Sequence, residues 1–337
     1  MIDYNNSIYS SLPQGLKTLI ITDSNVAELY LDGLHNALSE RECNVSSMIL
    51  PAGEESKNLS NVEKIYEKLS ADKFSRADYI VALGGGVITD ISEYAAATYL
   101  RGIKFVSIPT SLLAMVDAAH GGKCGVDLKC GKNLVGAFYE PTDVICDYRY
   151  LSTLPKAVFT DGMAEVIKYA FIMDEALFDI LNDASCLYDN MDIVGKVVEM
   201  CIADKKAVVA KDRYDFGIRR ILNFGHTYAH ALEQISGYRV GHGFAVSLGM
   251  IKITELAVKK GLCSEDVLSN LKKMLISNDL PVDYSRLEVI RDIPKDKLDK
   301  LIEEEIKFDK KHDGDVLMVV IVDLVGSAKI IPYGELL

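Results

Sequence analysis

Tyr79-Ile80-Val81-Ala82-Leu83-Gly84-Gly85-Gly86-Val87-Ile88-Thr89-Asp90 is the stretch on which the fold turns. Residues 79–83 form a short, apolar, β-prone run, which reads as a buried strand. The three glycines that follow mark a tight turn, and the residues after them open a helix. Consecutive glycines at such a junction let backbone N–H groups approach a phosphate, and the helix N-terminus adds positive potential. The run is not G-x-G-x-x-G, so the usual dinucleotide fingerprint is absent, and a plain tight turn is its other reading.

Working outward, the first ~150 residues alternate strands and helices, with turn and loop punctuation between them. Strands are expected over 18–22, 45–50, 79–83 and 104–108, the last stopped by Pro109, with helices over 26–38 and 60–69. That alternation predicts a parallel sheet with right-handed crossovers. After Leu154-Pro155 the texture changes to 3.6-residue periodicity, in 162–181, 193–210, 226–236 and 244–260. Residues 283–299 are polar and broken, and 316–322 is expected as a strand in a lone hairpin or at an edge. The expected organisation is α/β plus α: a Rossmann-like, nucleotide-type parallel-sheet domain over 1–155 and a mainly helical domain over 156–337.

The chain has 337 residues, with 37 Lys and Arg against 49 Asp and Glu, a formal charge of −12. With 49% hydrophobic and 26% charged residues it can build a full core, which excludes a disordered tail or a fibrous repeat. The acidic balance argues against nucleic-acid or membrane partners, though a local basic pocket could still take a small phosphorylated molecule. The seven cysteines form no C-x-x-C pair, so neither a disulfide framework nor a thiolate zinc site is expected. The first residues lack the pattern of a secretory signal, and no apolar run reaches the ~18 residues of a membrane span. The expected compartment is the cytoplasm.

Several motifs carry chemistry. Glu54 and Lys57, after the second strand, could reach a dinucleotide's ribose and phosphates, and alone are ordinary surface charges. Lys123 follows Gly121-Gly122, and Lys132 lies in Gly131-Lys132-Asn133; two lysines in glycine-rich loops suit a phosphate, although a single Gly-Lys pair is usually a solvated turn. His226 and His230 are four apart on one helix face, a spacing that lets both reach one metal ion, and His242 between two glycines adds a third imidazole. From spacing alone, His226 and His230 are the expected zinc pair. Glu165 and Lys168, three apart in an apolar helix, are either a surface ion pair or partly buried charges that need a partner. Lys205, Arg219 and Asn223 supply further donors ahead of the histidines.

Taken together, these motifs resemble those of the 3-dehydroquinate synthases, sugar-phosphate cyclases of the shikimate pathway to aromatic amino acids, over nearly the whole chain. The matching stretches are Gly84-Gly85-Gly86-Val87 with Asp90, Tyr99-Leu100-Arg101-Gly102, Asp117 with Lys123, Gly131-Lys132-Asn133, Ala164-Glu165-Val166-Ile167-Lys168-Tyr169, and Leu222-Asn223-Phe224-Gly225-His226-Thr227 with His230 and His242. The resemblance implies NAD and one divalent metal, zinc or cobalt, held by Glu165, His226 and His242, which displaces the pairing read from spacing. It makes His230 an acid/base residue, with Asp215 and Lys168 as further catalytic groups. It assigns Arg101, Asp117, Lys123, Asn133, Glu165, Lys168, Lys205, Arg219, Asn223, His242 and one of Lys310 and Lys311 to the substrate. To NAD it assigns Asp23, Asn25, Glu54, Lys57, Gly85, Gly86, Val87, Asp90, Thr110, Ser111, Lys132 and Thr153.

The implied substrate is 3-deoxy-D-arabino-heptulosonate 7-phosphate, and the products are 3-dehydroquinate and phosphate. The implied route is oxidation at C5, β-elimination of phosphate, return of the hydride, ring opening and aldol closure, with no net redox. A homodimer is implied as well. Asp215 stands where the family usually has glutamate, Ala118-Ala119-His120 where Ser-Ser-Val is more usual, and Cys124 in place of a threonine. Phe244 replaces the glutamate of a common His-Gly-Glu, so His242 is expected to lack the carboxylate that could orient it. The alternatives are a sister cyclase acting on another sugar phosphate, a metal-dependent polyol dehydrogenase, and a catalytically dead homologue with a binding role.

Overall fold

The computed structural model describes residues 2–184, 187–290, 292–313 and 316–337, and the side chains of 307–313 lie outside it. The chain divides into two compact units, Met1–Leu154 and Pro155–Leu337.

In the first unit, a five-stranded sheet runs in the order β2-β1-β3-β4-β7 with every pairing parallel. Its strands are β1 (Lys17–Asp23), β2 (Asn44–Leu50), β3 (Tyr79–Gly84), β4 (Lys104–Pro109) and β7 (Asp143–Val144). The helical connections are α1 (Ser24–Val26), which runs through a π-turn over Ala27–Leu31 into α2 (Asp32–Glu40), then α3 (Leu59–Ala71) and α4 (Gly86–Thr98). Asn58 caps α3 by accepting from Asn61 N, as a short polar side chain ahead of a helix does. The inner strands are buried on both faces, so they read as continuous apolar runs rather than alternating ones. Leu19, Ile21, Ile80, Ala82 and Phe105 share a core with Ile88 and Ile91 of α4.

Chain order places β2 on one side of β1 and β3 on the other, so the topology reverses direction between β1 and β3. In open parallel sheets the crevice at the carboxyl ends of such a pair is where ligands bind. Here that point is flanked by Asp23-Ser24-Asn25 and by Gly84-Gly85-Gly86.

The expected parallel-sheet class is correct, and one local expectation in this unit is not. Residues read as glycine-rich loops form an antiparallel hairpin, β5 (Lys123–Leu128) with β6 (Gly131–Phe138). Gly136 is there because strand backbones approach closely: a Cβ would sit 2.4 Å from the carbonyl oxygen of Cys124. Val126 drops into the sheet's core, which ties the hairpin to the unit.

The second unit is built of α5 (Lys156–Ile172), α6 (Glu175–Asp183), α7 (Met191–Lys211), α8 (His226–Ile235), α9 (His242–Lys259), α10 (Glu265–Ser277) and α11 (Lys295–Asp313). It closes with an antiparallel hairpin of β8 (Met318–Leu324) and β9 (Ser327–Pro332), in line with the strand expected near the end. The run expected as one helix over 162–181 is two, because Asp174 breaks it and caps α6 by accepting from Leu177 N. Helix α5 is apolar nearly all round and buried along most of its length, as a central helix should be. It packs on α6, α7, α9 and both strands of the hairpin. Helix α11 begins inside the stretch read as polar and broken, where the surface charge of a half-exposed helix hides its period.

Candidate functional site

Within the first unit, the residues expected to take NAD gather at the reversal point and the ends of the neighbouring strands. Asp23 accepts from the N–H groups of Asn25 and Val26, fixing the turn after β1. Gly85 caps α4, and a Cβ on it would lie 3.3 Å from Ser111 Oγ; a Cβ on Gly84 would lie 2.7 Å from that of Ile88. Gly86 and Val87 form the first turn of α4, so their backbone N–H groups point out of its N-terminus. Thr110 N donates to Gly84 O at 2.9 Å, bringing Thr110 and Ser111 beside the glycines. Lys132 pairs with Glu54 at 3.5 Å.

Lys57 is buried, and its ammonium donates to Asp90 Oδ2 at 2.5 Å and to Asn133 Oδ1 at 2.6 Å. Burial alone would lower the Lys57 pKa, but Asp90 and Glu54 outweigh it and raise it. Asn133, expected at the substrate, sits in a left-handed conformation (φ 55°) and is pinned by this contact and by its N–H to Asp127 Oδ1. Arg101 is exposed and also left-handed (φ 65°), between Leu100 and Gly102. Asp117 lies in a π-turn over Ala114–Ala118, Lys123 begins β5, and Thr153 hydrogen-bonds to the Tyr30 hydroxyl at 2.5 Å.

The second unit brings three donors together. Glu165 of α5, His226 at the start of α8 and His242 at the start of α9 place one ligand atom each within 4.8 Å of one another. Glu165 Oε1 lies 3.7 Å from His226 Nε2 and 3.5 Å from His242 Nε2, while Glu165 Oε2 accepts from Lys168 Nζ. The glutamate is fully buried and the lysine nearly so. His226 Nδ1 is 3.2 Å from Phe224 O, and His242 Nδ1 is 3.5 Å from Glu233 Oε2. With hydrogen on each Nδ1, as those oxygens require, both Nε2 lone pairs face the same carboxylate oxygen.

Three electron-rich atoms facing one another are stable only around a cation. Without a metal, His242 supplies it: burial works against its charge, but Glu165 and Glu233 overcome that and lift it to about 10. His226 stays neutral, driven down to about 3 by burial and by the Lys168 ammonium. One carboxylate and two imidazoles, buried and converging, are the donor set of a divalent zinc-type ion with positions left over for substrate oxygens. The residues present fit such a metal.

His230, half of the pair expected from helical spacing, is outside this group. Its ring lies 5.6 Å from that of His226, centroid to centroid, and is exposed on α8. The other two donors come instead from α5 and α9, which the fold packs against each other. Lys205 of α7 and Arg219 in the turn Ile218–Asn223 are buried, and α7, this turn and α5 pack together. Arg219 donates to Arg213 O, and its backbone N–H to Asp212 Oδ2. Asn223 is exposed at the end of that turn. Asp215 is half-buried in a left-handed conformation (φ 62°) in the preceding loop. The side chains of Lys310 and Lys311 lie outside the described residues.

The expectation that His242 lacks an orienting carboxylate is wrong. Phe244 cannot supply one, but Glu233, seven residues after His226 on α8, reaches His242 Nδ1. Asp161 of α5 adds a second hold, since its Oδ1 accepts from Phe244 N at 3.1 Å at the start of α9. Sequence reasoning passed over both, although His226, His230 and Glu233 at i, i+4 and i+7 share a helix face, a signal that was present.

Two adjoining family models match most of the chain: 3-dehydroquinate synthase N-terminal over residues 47–161 and 3-dehydroquinate synthase C-terminal over 162–312. A 3-dehydroquinate synthase of Clostridium kluyveri is 38% identical over 337 residues, covering 98% of this chain and 91% of its own. Among solved structures, the 2-epi-5-epi-valiolone synthase ValA of Streptomyces hygroscopicus, with NAD+ and Zn2+ bound, superposes with a TM-score of 0.87 at 26% identity, covering 98% of this chain and 91% of its own. A 2-deoxy-scyllo-inosose synthase complexed with carbaglucose-6-phosphate, NAD+ and Co2+ gives 0.81 at 26%, covering 95% and 88%.

Proposed function

The chain belongs to the 3-dehydroquinate synthase family, and from that membership we propose that it converts 3-deoxy-D-arabino-heptulosonate 7-phosphate into 3-dehydroquinate and phosphate. NAD, when bound, supplies reversible hydride transfer at C5, and a divalent zinc or cobalt ion acidifies the hydroxyls it ligates. The observation that carries this reading is the converging, buried Glu165–His226–His242 set, with buried Lys168, Lys205 and Arg219 on elements packed around α5.

Glu165, His226 and His242 would hold the metal. Lys168 neutralises Glu165 Oε2, which leaves Oε1 as the inward-facing ligand atom. Arg219 offers a planar fork to a carboxylate or phosphate and Lys205 a point charge, and an anionic substrate would relieve the cost of burying both. Asn223 adds a neutral donor and acceptor. His230, exposed on the same face of α8 as His226, would move a proton, and Asp215 would accept one. In the first unit, the N–H groups of Gly86 and Val87 suit the NAD pyrophosphate, with Asp23, Asn25, Glu54, Gly85, Thr110, Ser111, Lys132 and Thr153 around the dinucleotide. Asp90 and Lys57 act there as a pair, and Asn133 joins Arg101, Asp117 and Lys123 in the substrate set.

A homodimer in the cytoplasm completes the proposal. The cysteines described are all free, as in a reducing compartment, and light scattering on the purified chain reads the assembly. The substrate assignment is tested by offering the heptulosonate phosphate, sedoheptulose 7-phosphate and glucose 6-phosphate in parallel and following phosphate and carbocyclic product. Phosphate and 3-dehydroquinate from the first alone support it. Release from either of the others and not from the first moves the chain to a sister cyclase.

A further inference from the structure

The start of α9 presents His242 to the metal-type site, and Glu233 faces its ring from outside the donor set. Glu233 Oε2 faces Nδ1 at 3.5 Å, while Nε2 faces Glu165 Oε1 at 3.5 Å, so the imidazole sits between two carboxylates with one nitrogen turned to each. Glu233 is on α8, the helix that begins with His226, so one helix supplies a donor to the site and also the oxygen that aims the second donor. Its carboxylate is 5% exposed, against 27% for His242, which makes it the more buried partner. A buried carboxylate placed on a ring N–H is costly to desolvate, and it fixes both ring rotation and tautomer. The backbones that frame it approach closely: a Cβ on Gly243, the residue after His242, would lie 1.7 Å from Asp161 O, so the start of α9 lies directly against α5. Phe244 contributes only its backbone N–H, given to Asp161.

We propose that Glu233 is a positioning residue that orients His242 Nε2 toward the divalent metal and sets how tightly that metal is held. The inference rests on the metal reading of the preceding section. Carboxylates that accept from a ligand histidine raise its basicity and hold its geometry, and losing one typically costs about 10–100-fold in metal affinity.

The test uses the purified full chain stripped of metal, with Zn2+ titrated against a chromophoric chelator and Co2+ titrated by its visible absorption. E233A is expected to weaken Zn2+ binding at least tenfold and to shift or weaken the Co2+ bands. E233Q, which keeps an oxygen but loses the charge, is expected to fall between it and the wild type. Thermal melts of the metal-free proteins separate this from a folding defect, and if E233A does not fold, the isosteric E233Q carries the test. Wild-type affinity and an unchanged Co2+ spectrum in a folded E233Q or E233A would overturn the role of Glu233 while leaving the metal reading standing. Failure of the wild type to bind either ion would overturn both.

Discussion

Gly249→Ala tests whether the metal-type site depends on one backbone contact. Gly249 lies on α9, and a Cβ there would sit 2.0 Å from Gly225 O and 2.9 Å from Gly225 C. Gly225 is the left-handed cap (φ 82°) immediately before His226, and a Cβ on it would in turn lie 2.7 Å from Met250 N. Real Cβ contacts do not fall below 3.0 Å, so the methyl must push the start of α8 from α9 by about 1 Å, the difference between 3.0 and 2.0. Because the obstacle is backbone, no side chain can move aside to absorb it. His226 rides on one side of that contact and His242 on the other, and their ligand atoms now lie within 4.8 Å of each other and of Glu165. Overpacking of this kind costs about 1–3 kcal/mol. For a unit of this size that is a fall of roughly 2–12 °C in melting temperature. A 1 Å misplacement at a reacting site costs on the order of 100-fold in rate. Gly334→Ala, where nothing lies within 4 Å of the added Cβ, is the control in the same unit. The assays are a melt of the metal-free protein and a Zn2+ competition titration. A Gly249→Ala protein matching the control in both would refute the reasoning.

Three further predictions follow from individual contacts. Asp204 on α7 is raised to about 7 by burial and by its neighbour Asp174, against an ordinary 3.8. The folded chain therefore keeps a proton that the unfolded chain releases, so stability declines as pH rises from about 4 to 7 and the loss is complete above it. Asp204→Asn should remove that slope and add about 1–2 kcal/mol at pH 8, after discounting for a half-exposed group, in denaturant melts at pH 5 and pH 8; an undiminished slope would contradict the assignment. Lys57→Met removes the buried ammonium from which Asp90 and Asn133 both accept, so it should cost about 3 kcal/mol in stability and weaken NAD binding by calorimetry at least tenfold, and unchanged values would show the contact to be incidental. Glu165→Ala should abolish stoichiometric zinc in the purified protein by elemental analysis, and a full complement would move the metal elsewhere.

The parts of this molecule written in local sequence were readable before the structure. The β3–glycine–α4 junction is contiguous, and its apolar run, its glycines and the helix after them announce themselves within a dozen residues. The β5–β6 hairpin was not readable, because its glycines serve cross-strand contact rather than a loop, and nothing local distinguishes the two uses. The break between α5 and α6 was hidden by hydrophobicity that continues across Asp174. At the site, periodicity could pair His226 only with His230, whereas Glu165 lies 61 residues before His226 and meets it only because α5 runs through the middle of its unit. Family resemblance supplied that partner, and geometry supplied Glu233, which replaces what Phe244 lacks.

The central claim is that the chain uses NAD as a catalyst in a metal-assisted cyclisation, and the ratio of phosphate to NADH tests it most directly. Purified protein with Zn2+, substoichiometric NAD and 3-deoxy-D-arabino-heptulosonate 7-phosphate is followed for phosphate release and for NADH absorbance in the same cuvette. The account predicts many phosphates per NAD, no lasting NADH signal, and loss of both turnover and product on adding a chelator. NADH accumulating in proportion to substrate consumed, without phosphate, would make the chain a dehydrogenase and contradict the account.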